Sequence, residues 1–381
     1  MSSATNLTGK PERRAARNFF FGAILLFLIL AIAEGLALAF GLTFGKNLFS
    51  NPHKYFRSIS AADFETWQKS PWYDPELGWG VPVTPTLQSE RNCLGETISY
   101  NVHDGMRMSA GSGTPAVALF GESFTYGQEI DDDSTIASAL WHRHGLKALN
   151  YGAPGYSPEQ AVLKFERILK TGTLPSRAIL IVMHENIRRT ANSFRPAYLS
   201  STDIVFGLKP YMQSGTMVPL ISPPDFAAFV GEAAKRFESD FWARPELTFP
   251  YTLSLIEAIS TNSYYFRNWA SFDEMPFTHE YTSDNPLRRN LTAVARRFRN
   301  DALAANITPL IIFIPQSKAT YGVSASYVKA LDQELGGNTV LELDDAEMDW
   351  SRYNLKPEGD CHVSPYGAER IAKFISDALS R

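Results

Sequence analysis

Short apolar runs alternate with amphipathic stretches over most of the chain after residue 114. The runs are uniformly apolar, as strands buried on both faces of a parallel sheet are. Several of the stretches between them begin with helix-start residues, most clearly Ser157-Pro158-Glu159. The predicted strands are residues 116–120, 146–150, 178–183, 309–314 and 339–343, and the predicted helices are residues 134–144, 157–170, part of 284–306, 324–335 and 364 onward. This alternation predicts an α/β fold, a three-layer sandwich with a parallel sheet between two layers of helices.

Two regions depart from this alternation. Residues 45–113 carry proline, glycine and aromatic residues without clear periodicity, which predicts a stalk and an N-terminal cap segment of short, irregular elements. The main domain would then be residues 114–381. Within it, residues 187–305 are long, aromatic and dotted with proline, and structureless loops of that length are rare in compact domains. We expect an inserted helical and aromatic subdomain there, either a lid over a substrate cleft or a purely structural excursion.

One stretch near the N-terminus has the length and composition of a transmembrane helix. Residues 19–44 are apolar except for Glu34 and Thr43, and a helix needs about 20 such residues to cross the hydrocarbon core. The basic residues ahead of it are Lys10, Arg13, Arg14 and Arg17. They indicate a cytoplasmic tail at residues 1–18 and an uncleaved signal anchor at 19–44. One alternative is a signal peptide cleaved after residues 31–33, which have the small-x-small pattern of a cleavage site. Another is a buried helix of a soluble protein. The anchor and the signal peptide both place the main domain outside the cytoplasm, in the periplasm or beyond.

The charge balance and the aromatic content narrow the class of protein. The 381 residues include 40 acidic and 36 basic side chains, a net charge of −4, whereas nucleic-acid binders typically carry a basic excess. Aromatic residues make up 13% of the chain, which is enough for a buried core and argues against wholesale disorder. The sequence therefore predicts a folded domain that binds no nucleic acid and that meets the membrane through its N-terminal helix.

Two cysteines, Cys93 and Cys361, are present. They are too few for a zinc site of four thiolates, but outside the cytoplasm two thiols can pair. A disulfide between them is a hypothesis, and the alternative is two unrelated buried side chains. His142 and His144, two residues apart on a predicted helix, face different sides of it, so we expect no metal site there.

Three predicted strands are followed by residues suited to acyl transfer. Ser123 follows the first strand, Gly155 the second and Asn186 the third. Ligand sites in open α/β sheets lie at the carboxyl ends of the strands, so these residues would share one edge. A serine can supply a nucleophile, while a glycine N–H and a side-chain amide can donate to an oxyanion. Each residue alone also has a structural explanation, as an N-cap serine, a tight-turn glycine or a turn asparagine.

A fourth segment stands before the last predicted helix and reads Asp360-Cys361-His362. Histidine is the natural base for a serine, and it needs an acceptor to fix its tautomer. Asp360 is the nearest acceptor in sequence, and Glu358 is the fallback. In isolation, the segment could equally be a surface pair without a catalytic role.

In this order the four segments resemble the motif blocks of the SGNH (GDSL-like) hydrolase superfamily, in particular its bacterial secreted or membrane-anchored members. The matching blocks are Gly121-Glu122-Ser123-Phe124-Thr125, Gly155 five residues after Asn150, Asn186 in His184-Glu185-Asn186-Ile187, and His362 with Ser364-Pro365-Tyr366-Gly367; the lead-in segments are residues 77–80 and 101–107. Three departures are visible. Glu122 replaces the usual aspartate, the third block lacks its flanking glycine and aspartate, and Asp360 stands two residues before His362 rather than three.

The resemblance implies a flavodoxin-like SGNH fold and a serine nucleophile. By that likeness Ser123 would attack an ester carbonyl, His362 would take its proton, and Asp360 would orient the imidazole. The oxyanion would be held by the N–H groups of Ser123 and Gly155 and by the Asn186 amide. Neither a metal nor a cofactor is implied.

Together these inferences predict a membrane-anchored serine esterase, an acylhydrolase with an acyl-enzyme on Ser123. Its partner would be an acylated small molecule or glycan, for example an O-acyl ester of a cell-envelope glycan. Two alternatives stay open. An O-acyltransferase could use the same residues, because water access to the acyl-enzyme decides between transfer and hydrolysis. A non-catalytic glycan-binding or scaffold protein could have the same fold.

Overall fold

The computed structural model describes residues 9–43, 48–170, 172, 174–199, 203–261, 278–282, 284–357 and 361–380. Within these ranges the chain forms two units. The helical unit draws on Met1–Tyr55 and Ala243–Phe272, and the sheet unit on Phe56–Trp242 and Asp273–Arg381. Residues of the predicted insertion at 187–305 therefore occur in both units.

An eight-stranded sheet lies at the centre of the sheet unit. Its strands in chain order are β1 (Thr86–Arg91), β2 (Thr97–His103), β3 (Met106–Arg107), β4 (Val117–Phe120), β5 (Ala148–Asn150), β6 (Arg177–Met183), β7 (Thr308–Ile314) and β8 (Val340–Glu342). They are ordered β8-β7-β6-β4-β5-β3-β2-β1. Neighbours from β8 to β5 pair in parallel, whereas β3, β2 and β1 are added antiparallel. The five parallel strands are the five that the apolar runs predict.

Helices surround this sheet and also form the helical unit. In the described residues they are α1 (Gly9–Thr43), α2 (Pro52–Arg57), α3 (Ala61–Lys69), α4 (Ser123–Tyr126), α5 (Ile136–His144), α6 (Pro158–Leu169), α7 (Asn186–Arg189), α8 (Arg195–Tyr198), α9 (Phe226–Ser239), α10 (Tyr251–Thr261), α11 (Thr278–Thr282), α12 (Pro286–Ala304), α13 (Ala325–Glu334), α14 (Trp350–Tyr353) and α15 (Pro365–Leu379). Two small hairpins lie outside the main sheet and pair Tyr73–Asp74 with Gly78–Trp79 and Tyr211–Gln213 with Thr216–Val218. The predicted helices of the sheet unit are present within one or two residues of their expected ends.

Alternate side chains of each central strand enter opposite layers, as a period of two requires. On β4, Leu119 belongs to a buried cluster with apolar residues of α5 and α15. Phe120 points the other way, and its ring centroid lies 5.2 Å from that of Phe165 on α6. Phe165 in turn lies 4.8 Å from Phe298 on α12. Helices α5 and α15 thus form one outer layer and α6 and α12 the other, which confirms the predicted three-layer α/β architecture.

The three antiparallel strands lie in the region expected to hold only short, irregular elements. Along β1 and β2 most positions are exposed or half-buried, because these strands form the open edge of the sheet. They therefore lack the apolar run that marks the central strands. Their connection to the sheet is made by β3, where Arg107 pairs with Asn150 of β5.

Among the described residues of the helical unit, one helix, Arg14–Thr43 within α1, is long and apolar enough to cross a membrane. Its 30 residues extend about 45 Å at 1.5 Å per residue. Most of its large apolar side chains are exposed along their length. In the same unit, α10 packs against α1.

The packing of Phe165 gives a stability prediction. Phe165→Ala removes a fully buried ring between Phe120 and Phe298 and leaves a cavity. We expect the free energy of unfolding to fall by about 3–5 kcal/mol. Denaturant titration of the full chain in detergent, followed by tryptophan fluorescence, measures this. Leu87→Ala, at an exposed edge position, is the control and should stay within about 0.5 kcal/mol of wild type; similar losses for both would contradict the assigned core.

Candidate active site

Ser123 lies at the carboxyl end of β4, where the strand turns into the short helix α4. The turn requires a glycine at position 121, because a Cβ on Gly121 would lie 2.8 Å from the Ile181 carbonyl oxygen of β6. Glu122 caps α4 through Oε2, which accepts hydrogen bonds from the Phe124 N–H (2.8 Å) and from the Ser123 hydroxyl (2.9 Å). The local sequence thus fixes the serine at a strand exit with its hydroxyl on a buried carboxylate.

Glu122 is itself an unusual neighbour for a serine. Burial raises the pKa of the Glu122 carboxyl, and the positive charge of Arg189 and hydrogen bonds from Phe124 and Ser123 oppose that rise. Its Oε1 atom is buried and has no hydrogen-bond partner among the described residues. Glutamate is one methylene longer than the aspartate that the motif usually has. Here a single oxygen of Glu122, Oε2, accepts hydrogen bonds from both the helix N-terminus and the serine hydroxyl.

Gly155 follows β5, which lies directly beside β4 in the sheet. The Ala153 N–H donates to the Gly121 carbonyl oxygen (3.2 Å), so the loop continues alongside β4 beyond the strand ends. Gly155 has a φ of +68°, a left-handed conformation that favours glycine. Its loop therefore lies at the same sheet edge as the Ser123 turn.

Asn186 begins α7 directly after β6, the neighbour of β4 on its other side. The residue is buried, and its Oδ1 atom has no hydrogen-bond partner in the described part of the chain. The helix is held by Arg189, which pairs with Glu185 (Nη2 to Oε2, 2.5 Å) and donates to the Tyr156 carbonyl oxygen (3.2 Å). Arg189 thereby connects the segment of Asn186 to the loop that follows Gly155.

His362 comes from the loop before α15 and reaches the same end of the sheet. Its ring centroid lies 5.8 Å from that of Phe124, the residue after Ser123. Its Nδ1 atom lies 2.8 Å from Oε2 of Glu129, and its backbone N–H donates to the same oxygen (3.1 Å). One carboxylate oxygen therefore fixes both the ring and the backbone of the histidine.

Glu129 is the site residue that sequence reasoning missed. It is separated from His362 by 233 residues, and no motif spacing connects the two. Its φ of +69° is unusual for a residue with a side chain, and such strain is typical of functional positions. Burial acts to raise the pKa of Glu129, but the hydrogen bonds from the His362 ring and backbone outweigh it, so the pKa is lowered. The carboxylate is thus held in its charged form beside the imidazole.

The loop that carries Glu129 is anchored by Arg107 of β3. The buried guanidinium donates to Asp132 Oδ1 (2.7 Å) and to the carbonyl oxygens of Gly127 (3.1 Å) and Ile130 (2.6 Å). Its Cζ atom also lies 3.9 Å from the ring centroid of Tyr100, a cation–π contact. Since these partners lie on both sides of Glu129 in the chain, Arg107 fixes the loop at both ends. Arg107 closes a lead-in segment that the sequence singled out without assigning it a role.

The predicted disulfide between Cys93 and Cys361 is present and joins positions 268 residues apart. Cys361 directly precedes His362, and the Cys93 backbone contributes a hydrogen bond to Glu129. The two sulfur atoms and a Glu129 carboxylate oxygen lie within 4.8 Å of one another. The bridge thus ties the β1–β2 turn to the histidine loop at the point where the histidine meets its carboxylate.

The structure brings Ser123, Gly155, Asn186 and His362 to one end of the sheet. Among the hydrogen bonds of the described residues, the Ser123 hydroxyl donates to Glu122 and not to His362. Asp360 and its fallback Glu358 lie outside the described residues, so the orienting role of Asp360 stays a prediction. The arrangement offers a hydroxyl, an imidazole held by a carboxylate, and candidate N–H donors, which are the groups that acyl transfer requires.

No protein-family profile matches the chain, and no curated protein sequence matches it either. Among solved structures, a protein assigned to the G-D-S-L lipolytic family from Desulfitobacterium hafniense DCB-2 aligns with 69% of this chain and 98% of its own length. The sequence identity is 10% and the TM-score is 0.30. A likeness at this TM-score supports no conclusion about the fold family or the reaction.

The disulfide gives a prediction for the stability of the protein. In a variant with Cys93→Ser and Cys361→Ser, we expect the free energy of unfolding to fall by about 2–5 kcal/mol, because the bridge restricts the unfolded chain. Denaturant titration of the full chain with and without reductant measures this. Reductant should lower the wild-type midpoint and leave that of the variant unchanged. A wild-type midpoint that ignores reductant would contradict the prediction.

Proposed function

We propose that this protein is a serine ester hydrolase that works through an acyl-enzyme on Ser123. The observation that carries the proposal is the placement of His362, whose ring lies beside the residue after Ser123 and whose Nδ1 atom is held by Glu129. An imidazole that donates from Nδ1 to a carboxylate presents Nε2 as a proton acceptor. This is the protonation state that a serine nucleophile needs in its base.

In the first half of the reaction, the Ser123 hydroxyl turns from Glu122 toward the imidazole. Its oxygen bonds to the ester carbonyl carbon while its proton passes to His362. The negative charge that develops on the carbonyl oxygen is stabilised by the N–H groups of Ser123 and Gly155 and by the Asn186 side-chain amide. One such donor typically contributes about 2.7–4 kcal/mol to lowering the barrier. The intermediate then collapses, and the departing alkoxide takes the proton from His362.

In the second half, water attacks the acyl-enzyme and returns Ser123. His362 accepts a proton from the water, the carbonyl oxygen becomes an oxyanion again, and the carboxylic acid leaves as the serine oxygen regains its proton from the imidazole. The ionised Glu129 stabilises the imidazolium that exists in both halves. Because the pKa of Glu129 is lowered, the carboxylate is available for this role at neutral pH and above.

We place the sheet unit outside the cytoplasm, with α1 as a single-pass anchor. The basic residues ahead of the apolar part of α1 favour a cytoplasmic N-terminus, and a disulfide persists in oxidising compartments such as the bacterial periplasm. The substrates that this location offers are O-acyl esters of cell-envelope glycans and other small esters. A hydroxyl of a second glycan in place of water would make the same residues an acyltransferase.

A nucleophile test addresses the proposal directly. Ser123→Ala should abolish hydrolysis of 4-nitrophenyl acetate and covalent labelling by a fluorophosphonate probe, because the acyl-enzyme can no longer form. Ser376→Ala, a serine of α15 away from the site, is the control and should retain both. If the probe labels Ser123 and a glycan acceptor speeds the release of nitrophenol, the protein would be assigned as an acyltransferase. A wild-type chain inert to the probe and to a broad ester panel would overturn the enzymatic proposal.

A second test identifies the acid behind the histidine. Glu129→Gln keeps the shape of the side chain and removes its charge, so we expect kcat to fall by about 10²–10⁴-fold with KM little changed. Asp360→Asn is the matched comparison and should cost less. An active Glu129→Gln beside an inactive Asp360→Asn would instead make Asp360 the positioning acid.

A further inference from the structure

The apolar part of α1 contains one ionisable side chain, Glu34, between residues 19 and 44. Its carboxylate accepts a hydrogen bond from the Tyr251 N–H (2.5 Å) and further ones from the N–H (3.4 Å) and the hydroxyl of Thr252. These N–H groups belong to the first turn of α10, where a helix has no partners of its own. Glu34 therefore caps a second helix from within the apolar helix.

The segment leading into α10 approaches α1 closely. A Cβ on Gly41 would lie 2.7 Å from a Leu247 side-chain methyl group, and Ala37, one turn earlier on the same face, is buried. Small residues at this spacing let two elements of a membrane protein pack in contact. On the side of α10, Ala258 is fully buried. The segment Leu247–Thr261 thus lies along the C-terminal half of α1.

The opposite side of this segment is apolar and exposed. Phe249 is 72% exposed, Leu253 60%, Ile256 61% and Ile259 38%. Leu253, Ile256 and Ile259 are spaced three residues apart and lie on one face of α10, and Phe249 precedes the helix. Between Leu247 and Thr261 the sequence has no lysine or arginine, and Glu257 is the single charged residue. The surface of a soluble protein rarely has such a stripe. The exposed side chains of α1, the helix against which α10 packs, are apolar in the same way.

Depth along α1 indicates what covers this stripe. Glu34 comes 15 residues after Phe19, about 22 Å along the helix axis, within a hydrocarbon core of about 30 Å. A carboxylate and the free N–H groups of a helix end are both unfavourable in hydrocarbon unless they have partners. Here the Glu34 carboxylate accepts hydrogen bonds from the free N–H groups of α10, so both groups have partners and can lie within the hydrocarbon core. The 11 residues of α10 extend about 16 Å, too short to cross the membrane.

We propose that Leu247–Thr261 lies in the outer leaflet beside α1, as a short helix that does not span the bilayer. Its stripe of Phe249, Leu253, Ile256 and Ile259 contacts lipid acyl chains, and Glu34 fixes its N-terminal end. The chain then has two contacts with the membrane, a spanning helix and a partly inserted one. This proposal concerns the helical unit and rests on the proposed orientation of α1 in the membrane, not on the proposed ester hydrolysis.

Site-specific fluorescence quenching tests the depth of the segment. Because the two native cysteines are bonded to each other, a cysteine introduced as Ile256→Cys can be labelled alone with an environment-sensitive dye in detergent. The full chain is then reconstituted in phosphatidylcholine–phosphatidylglycerol vesicles. Leu28→Cys on α1 is the reference inside the membrane, and Leu87→Cys on β1 is the reference in water. Quenchers are nitroxides on the lipid acyl chains and iodide in the buffer.

We expect the label at position 256 to behave like that at position 28, with strong quenching by acyl-chain nitroxides and little by iodide. Quenching by iodide equal to that at position 87 would overturn the proposal. So would protection from both quenchers that disappears as the ratio of lipid to protein rises, because that result would mean a second copy covers the stripe.

Substitutions at Glu34 test the fixing contact. Glu34→Leu should increase iodide quenching at position 256 several-fold, while Glu34→Gln, which keeps an acceptor oxygen, should change it little. The label at position 28 in the same variants verifies that α1 is still inserted. Unchanged quenching at position 256 in Glu34→Leu, with α1 inserted, would refute the role of Glu34. Ester hydrolysis measured on the same vesicles reports separately on the proposed activity.

Discussion

The buried guanidinium of Arg107 is the contact on which the candidate site depends most. A cation removed from water must keep its partners, and loss of one leaves a buried charge uncompensated. Its partners here are the two ends of the loop around Glu129, so that loop has one favourable arrangement. The same residue pairs β3 with β5 and joins the antiparallel edge to the parallel sheet. One side chain thus connects the edge strands, the loop and, through Glu129, the histidine.

This arrangement explains how a strained carboxylate can serve as a fixed acceptor. A glutamate with positive φ would relax if its loop were free. Arg107 on one side, and the disulfide with the His362 backbone on the other, restrain it in this conformation. The precision of the histidine's position therefore comes from contacts that are remote in sequence and that involve no reacting group.

The sequence predicted the features that depend on local pattern, namely the central strands and the starts of helices. Apolar runs such as 178–183 identify strands because burial on both faces leaves no polar position, and Ser364-Pro365 marks a helix start by local capping chemistry. The edge strands β1 and β2 were not predicted, because strands with half-exposed positions do not form a continuous apolar run. Glu129 was not predicted for another reason. Its contact with His362 joins residues 233 positions apart, and no motif spacing in the sequence indicates such a contact. Ser123, Gly155 and Asn186 could be expected at one edge because each follows a parallel strand, and the carboxyl ends of such strands lie together. His362 was singled out by its resemblance to a motif block, and the roles of all four residues stay predictions.

The bridge between Cys93 and Cys361 has a consequence for the order of events during biosynthesis. Cys361 follows Cys93 by 268 residues, so the covalent link has to wait until the whole intervening stretch has been synthesised. Until then the imidazole and its acceptor belong to separate, untethered stretches. All eight strands of the main sheet are consequently synthesised before the bridge can tie the histidine loop to the β1–β2 turn.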